Sequence, residues 1–212
     1  MNRSAQYELA MFPLESVVLP GAIVPLHVFE PRYRTLVSRL SKQAEPEFAI
    51  PPITRGREVG GDDQRADVAV VANLLEAQEF ADGRWAMVVE GTRRVSVDEW
   101  LADDPYPRAT VTDWPDEPGG DLIDAAREVI AAFEALAVVA HRLDPRLDLR
   151  GLDFSDEDPS LIIWQLVGNA GLGALDTLTL LRCPGVGERA VLAAELIGEL
   201  RDLLDALAGR DR

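Results

Sequence analysis

The chain has 212 residues, 47% of them apolar and 27% charged, so one large or two small domains can bury about 70% of the unfolded surface without a disulfide or metal. A formal net charge of -16 repels phosphate backbones and anionic lipid headgroups; nucleic acid and membrane surfaces are therefore not the expected partners, and basic or unfolded polypeptides are. Cys183 is the only cysteine, which excludes an internal disulfide; with no apolar run near the roughly 20 residues of a membrane span and no basic-then-apolar leader in residues 1–8, a cytoplasmic location is expected.

The first half reads as β structure with one helix. Leu9 to Leu14 and Ala22 to Val28 are short apolar strands, the second entered through the Pro20-Gly21 turn. Pro31 opens a helix where its missing N–H costs nothing, and Tyr33, Leu36, Val37 and Leu40 share one face of it. Pro46 and Pro51-Pro52 bracket a strand from Glu47 to Ile50. A polar, mobile loop is expected from Thr54 to Arg65, with Gly56, Gly60 and Gly61. Val68 to Phe80 is long enough to demand a bulge or bend. Asp82-Gly83 is a hairpin turn, and Trp85, Met87 and Val89 alternate after it. Gly91-Thr92 reads as a second turn before Val95 and Val97, and Asp103-Asp104-Pro105 leads into a last strand, Tyr106 to Thr112. Strands at this spacing imply a small barrel or a closed, strongly curved sheet.

Trp114 to Gly120, with two prolines and two glycines, is the linker, giving units of residues 1–115 and 116–212. The second unit reads as helical. Leu122, Ala126, Val129, Phe133, Leu136 and Ala140 form one continuous stripe. Asp158-Pro159 starts a helix over Ser160 to Val167 that Gly168 and Asn169 end. Leu175 to Leu181 is a third helix. Glu188 to Ala208 is a fourth, with Leu192, Leu196, Leu200, Leu203 and Leu207 expected inward. The fold class is α+β: a barrel with one helix, then a C-terminal helical bundle.

Several segments carry a family resemblance. Met11-Phe12-Pro13-Leu14, Val18-Leu19-Pro20-Gly21 and the run from Pro25 to Arg34 resemble the opening of the Lon protease N-terminal domain family, the last being similar to its short stand-alone bacterial members. Gly91 to Val95, Asp104 to Ala109, Asp158-Pro159-Ser160 and Leu180-Leu181 extend the similarity over about residues 9 to 207. Leu178, where the family has a polar residue, and the loose Gly171 to Ala174 turn depart from it and bear on the register of the bundle. The resemblance implies a PUA-like β pseudo-barrel followed by a helical bundle, and a part in recognising protein substrates.

Catalytic signatures are sparse. A phosphate loop needs Gly-Lys-Ser/Thr, and the single lysine, Lys42, has no glycine near it. A Ser-Lys dyad of Ser38 and Lys42 would require a lysine neutralised by burial, whereas this one closes a solvated helix end. No serine occupies a Gly-x-Ser-x-Gly elbow. Cys183 reads as a small apolar residue before a proline turn, His27 as a barrel residue and His141 as a helix-end cation; together they make no zinc set, and no cofactor is expected. Gly168 to Gly173 follows a helix, unlike a dinucleotide loop, and Asp153, Asp156, Glu157 and Asp158 lack calcium-loop spacing. Arg93-Arg94 with Trp85 and Trp100 is a possible basic, aromatic RNA surface that the net charge opposes.

What remains is a binding module for peptides or proteins, an adaptor or regulator of proteolysis. Its candidate residues are Phe29, Glu30, Arg32, Tyr33 and Arg34, with Arg94 from the Gly91 segment. Phe29 and Tyr33 would supply apolar contact and Arg32 a carboxylate partner, in a groove flanked by the Pro31 helix and the Thr54–Arg65 loop. The alternative is a regulator holding a small molecule or nucleotide in a cleft between barrel and bundle.

Overall fold

The computed structural model of the protein describes residues 5–56, 63–147, 149 and 158–210. Its Cα arrangement divides into two compact units, Met1–Pro115 and Asp116–Arg212. The expected residues Gly60, Gly61, Asp153, Asp156 and Glu157 lie outside the described residues.

The first unit contains β1 (Tyr7–Ala10), β2 (Ile23–Val28), α1 (Pro31–Leu40), β3 (Glu47–Ile50), β4 (Ile53–Arg55), β5 (Gln64–Arg65), β6 (Val68–Glu79), β7 (Trp85–Leu101) and β8 (Arg108–Asp113). Strand order is β1-β8-β7-β6-β3, all antiparallel, with β2 added beside β7; β4 and β5 pair separately. The sheet closes because the chain after β1 meets β3: Met11 bridges Ala49 and Leu14 bridges Pro52, with Phe12 N–H donating to Ala49 O at 2.8 Å. Met11, Ala49, Ala69, Val71, Val95, Ala109 and Val111 fill the interior. α1 covers one side with its expected face, Tyr33, Leu36, Val37 and Leu40, fully turned inward.

Three expectations change here. Gly91-Thr92 is not a turn: β7 runs through it for 17 residues, and the ladder with β6 shifts register there instead. Gly91 serves close approach, since a Cβ on it would collide with the carbonyl oxygen of Leu19. The ends of the Thr54–Arg65 loop are the strands β4 and β5, whose pairing uses backbone groups that a loop would leave to water. His27 is exposed on β2 rather than enclosed in the barrel.

The second unit contains α2 (Leu122–Leu143), α3 (Pro159–Asn169), α4 (Ala174–Leu181) and α5 (Val186–Arg210). Asp121 caps α2 by accepting from the N–H groups of Ile123 and Asp124, and Asp158 caps α3 by accepting from Ser160 N–H. The α2 stripe is buried from Ala126 to Ala140 as its spacing predicts. The α5 expectation is corrected. Val186, Arg189, Ala190, Ala193 and Ile197 are buried, Leu192, Leu196 and Leu200 are half-buried, and Leu203 and Leu207 stay 58% and 46% exposed. The small Ala190 and Ala193 at the centre of this face let α5 lie close to α2. Arg189, wholly buried, lies 3.8 Å over the Trp164 ring and donates to Asp116 and Ser160, so the inward cation is paired.

Candidate functional site

The site begins with the pleat of β2. Val24, Leu26 and Val28 turn toward the body of the barrel while Ile23, Pro25 and His27 face outward. The next two residues must leave the strand and enter a helix whose first residue is Pro31. Glu30 is held extended (φ -68°, ψ 135°), the conformation a following proline imposes. That geometry leaves Phe29 54% exposed at the strand end. One turn into α1, Tyr33 is buried against Phe12, ring centroids 4.4 Å apart, and Phe12 in turn meets Phe48 at 6.1 Å. Burial pushes the Tyr33 phenol up to about 12.

Two depressions flank Phe29. The first, about 180 Å³, is walled by Phe12, Leu14, Leu26, Val28, Phe29 and Tyr33, with Glu30 at its polar margin. The second, about 330 Å³, is walled by Val28, Phe29, Phe80 and Trp85, with His27 and Arg84 at its margin. An apolar cavity of about 150 Å³ accepts a benzene ring, so each depression has room for at least one aromatic or branched aliphatic side chain. Phe29, His27 and Val28 border both, and Phe80 adds a further apolar surface left 41% exposed. Concave apolar surface with a few polar groups at its rim is the usual form of a recognition site.

The cations around this surface are already engaged. Arg32 meets Glu30 at 3.1 Å and Asp103 at 3.9 Å, and its guanidinium lies 4.6 Å over the Tyr33 ring. Arg84 pairs with Asp82 at 2.7 Å in the β6–β7 turn. Arg34 reaches the same turn, where Gly83 (φ 76°) leaves room for its guanidinium; a Cβ there would strike it. Arg32 and Arg84 are thus each matched by an acid of the chain.

Of the six residues expected from the sequence, Phe29, Glu30 and Tyr33 are brought together around the first depression, and Arg32 braces them. Arg34 is directed to the hairpin at Gly83. Arg94 is elsewhere: 4% exposed in β7, it lies 5.3 Å over the Trp114 ring. Phe12, Leu26, Phe80 and Trp85 complete the surface from segments remote in sequence. Only the aromatic pair bracketing Asp82-Gly83 offered a sequence hint of their proximity. The described walls are the 12–14 segment and β2 rather than the Thr54–Arg65 loop, whose residues 57–62 lie outside the described region.

The proposed basic, aromatic RNA surface does not assemble. Trp85 and Trp100 stand near opposite ends of β7, and Arg65 stacks 4.6 Å over Trp100. Arg93 donates to Glu47 at 2.7 Å, to Asp113 at 3.1 Å and to the Tyr7 hydroxyl at 3.2 Å. The bond from Arg93 holds the Glu47 carboxyl below the usual range, and the bond from Tyr7 does the same for Asp113. Lys42 is exposed at the end of α1, its Nζ 3.5 Å from Ser38 Oγ, without the burial a lysine base needs. Cys183 is buried, its thiol 3.6 Å from Thr179 O. Among the described residues no cluster of three metal-ligating side chains occurs, and no helix is long and apolar enough to cross a membrane.

Comparison with known proteins places these features in context. The sequence model described as the ATP-dependent protease La (LON) substrate-binding domain matches residues 8–199. The chain is 21% identical over 193 residues to the Lon protease of Flavobacterium johnsoniae, covering 90% of this chain but 24% of that protein. It therefore spans about a quarter of the length of that curated relative. Among solved structures, the Lon N-terminal domain protein from Xanthomonas campestris is similar with a TM-score of 0.59 at 24% identity, over 86% of this chain and 94% of that one. The N-terminal domain of the Mycobacterium avium complex Lon protease is similar with a TM-score of 0.64 at 21% identity, over 91% of this chain and 99% of that one.

Proposed function

Because the chain belongs to the Lon substrate-binding domain family, we propose that its barrel unit binds extended segments of other proteins at the paired depressions around Phe29 and has no peptide-cleaving centre of its own. The observation that carries this reading is the exposed Phe29 ring standing between two apolar hollows, each large enough for a side chain. The charge of -16 favours segments with basic residues beside their apolar ones and assists their capture from a distance. Arg32 acts in this reading as a brace for Tyr33 and Glu30 rather than as a carboxylate receptor, since two acids of the chain already hold it.

The matched family is a binding domain, and among the described residues Lys42 and Cys183 lack activation for cutting a peptide bond: Lys42 is solvated and Cys183 is buried. A role as adaptor or regulator of proteolysis follows if the bound segments are passed to a protease. Fluorescence anisotropy with labelled, unfolded β-casein tests the binding: saturable binding is expected, and none at any salt concentration refutes the reading. Casein incubated with the protein, with and without ATP, is expected to remain intact on gels.

A further inference from the structure

We propose that β2 offers a free strand edge to which an extended polypeptide adds as a further antiparallel or parallel strand, seating one apolar side chain in the hollow lined by Phe12, Leu14 and Tyr33. This rests on the peptide-binding reading above and specifies how the peptide is held. β2 pairs with β7 alone among the described strands. Which of its backbone groups face outward follows from two independent hydrogen bonds. At the far side of β7, Phe80 N–H donates to Arg84 O at 2.8 Å. Antiparallel alternation then turns Ala86 and Val88 toward β6, and Trp85, Met87 and Val89 toward β2. At the near side, Gly91 N–H donates to Ala22 O at 2.9 Å, which sets the same phase. Through the β2–β7 register, Val24, Leu26 and Val28 therefore bond to β7, and Ile23, Pro25 and His27 present their backbones away from it.

Pro25 occurs on the outward phase, the position in a strand where a missing N–H breaks no ladder bond. The outward edge thus displays two donors, the N–H groups of Ile23 and His27, and three acceptors, the carbonyls of Ile23, Pro25 and His27. The hollow lined by Phe12, Leu14 and Tyr33 opens beside the Pro25 to Phe29 stretch of this edge. Backbone pairing along the strand with a pocket for an alternate side chain is how edges recognise extended peptides. Glu90 opposite Ile23 and the chain's net charge of -16 favour a partner carrying arginine or lysine beside its apolar residue.

The test uses the full chain and an array of overlapping short peptides from β-casein, from which the tightest binder is taken. Single N-methyl groups are then placed along that peptide. Methylation in one alternating phase is expected to weaken binding about tenfold per site, and in the other phase to change it less than about twofold. In amide exchange followed by NMR, peptide is expected to protect the N–H groups of Ile23 and His27. His27→Pro, which removes an outward donor and no ladder bond, is expected to weaken binding about fivefold or more. If no peptide binds, the binding reading itself fails. If a peptide binds but methylation shows no phase, or protection appears at other amides, strand addition to β2 is overturned and the binding reading stands. Protection of Ile23 and His27 in the free protein, together with a dimer in ultracentrifugation, would mean that a second copy covers the edge and would equally overturn the proposal.

Discussion

Replacing Phe29 with alanine removes the ring that both depressions share, and the structure sets the size of the effect. A phenylalanine side chain buries about 150–250 Å² when fully enclosed. At 54% exposure this one retains on the order of 100 Å² for a ligand to cover. At about 25 cal/mol per Å² that is about 2–3 kcal/mol, or a loss of roughly 30- to 150-fold in affinity. The fold should tolerate the change: the exposed half of the ring contributes little, so a stability loss of about 1 kcal/mol and a melting shift of about 2–4 °C are expected. Anisotropy titration of the variant with labelled β-casein, beside a thermal melt by circular dichroism, separates the two effects. A variant that melts normally and binds casein as the parent does would refute the placement of the site around Phe29.

Arg189→Met removes a wholly buried cation from its pairing with Asp116 and Ser160 and is expected to cost about 3 kcal/mol in urea unfolding, because an acid is left in a partly desolvated position. Gly91→Ala forces a Cβ onto the Leu19 carbonyl and is expected to cost about 1–3 kcal/mol by the same measurement; a neutral result would show that the β7 bulge can move aside. Alkaline titration should destabilise the barrel through Tyr33. The folded phenol, at about 12, keeps its proton where the unfolded one, at 10.0, loses it, so stability is intact below pH 10 and falls as pH rises toward 12, by about 2–3 kcal/mol in total. Tyr33→Phe should flatten this decline in unfolding curves measured across that range.

Local chemistry in the sequence determined where most elements begin and end. Pro31 after an extended Glu30, Asp82-Gly83 between alternating strands, and the Asp158-Pro159 cap each act within a few residues, so α1, the β6–β7 hairpin and α3 were legible without any tertiary knowledge. The helical stripes of α1 and α2 were legible for the same reason, because apolar spacing fixes one face of a helix against whatever it meets. The candidate site was legible in its contiguous part, Phe29 to Tyr33, and no further. Only the tertiary structure decided that Gly91 sits in a bulge, since the reason is a carbonyl from Leu19, far away along the chain. It alone decided that α5 buries Ala190 and Ala193 fully while Leu192, Leu196 and Leu200 are only half-buried, since closeness to α2 admits small side chains at the centre of the face. It alone brought Phe12, Phe29, Phe80 and Trp85 to one surface and left β2 with one neighbour. Strand order and edge position are properties of how the sheet closes, and periodicity within a strand carries no record of them.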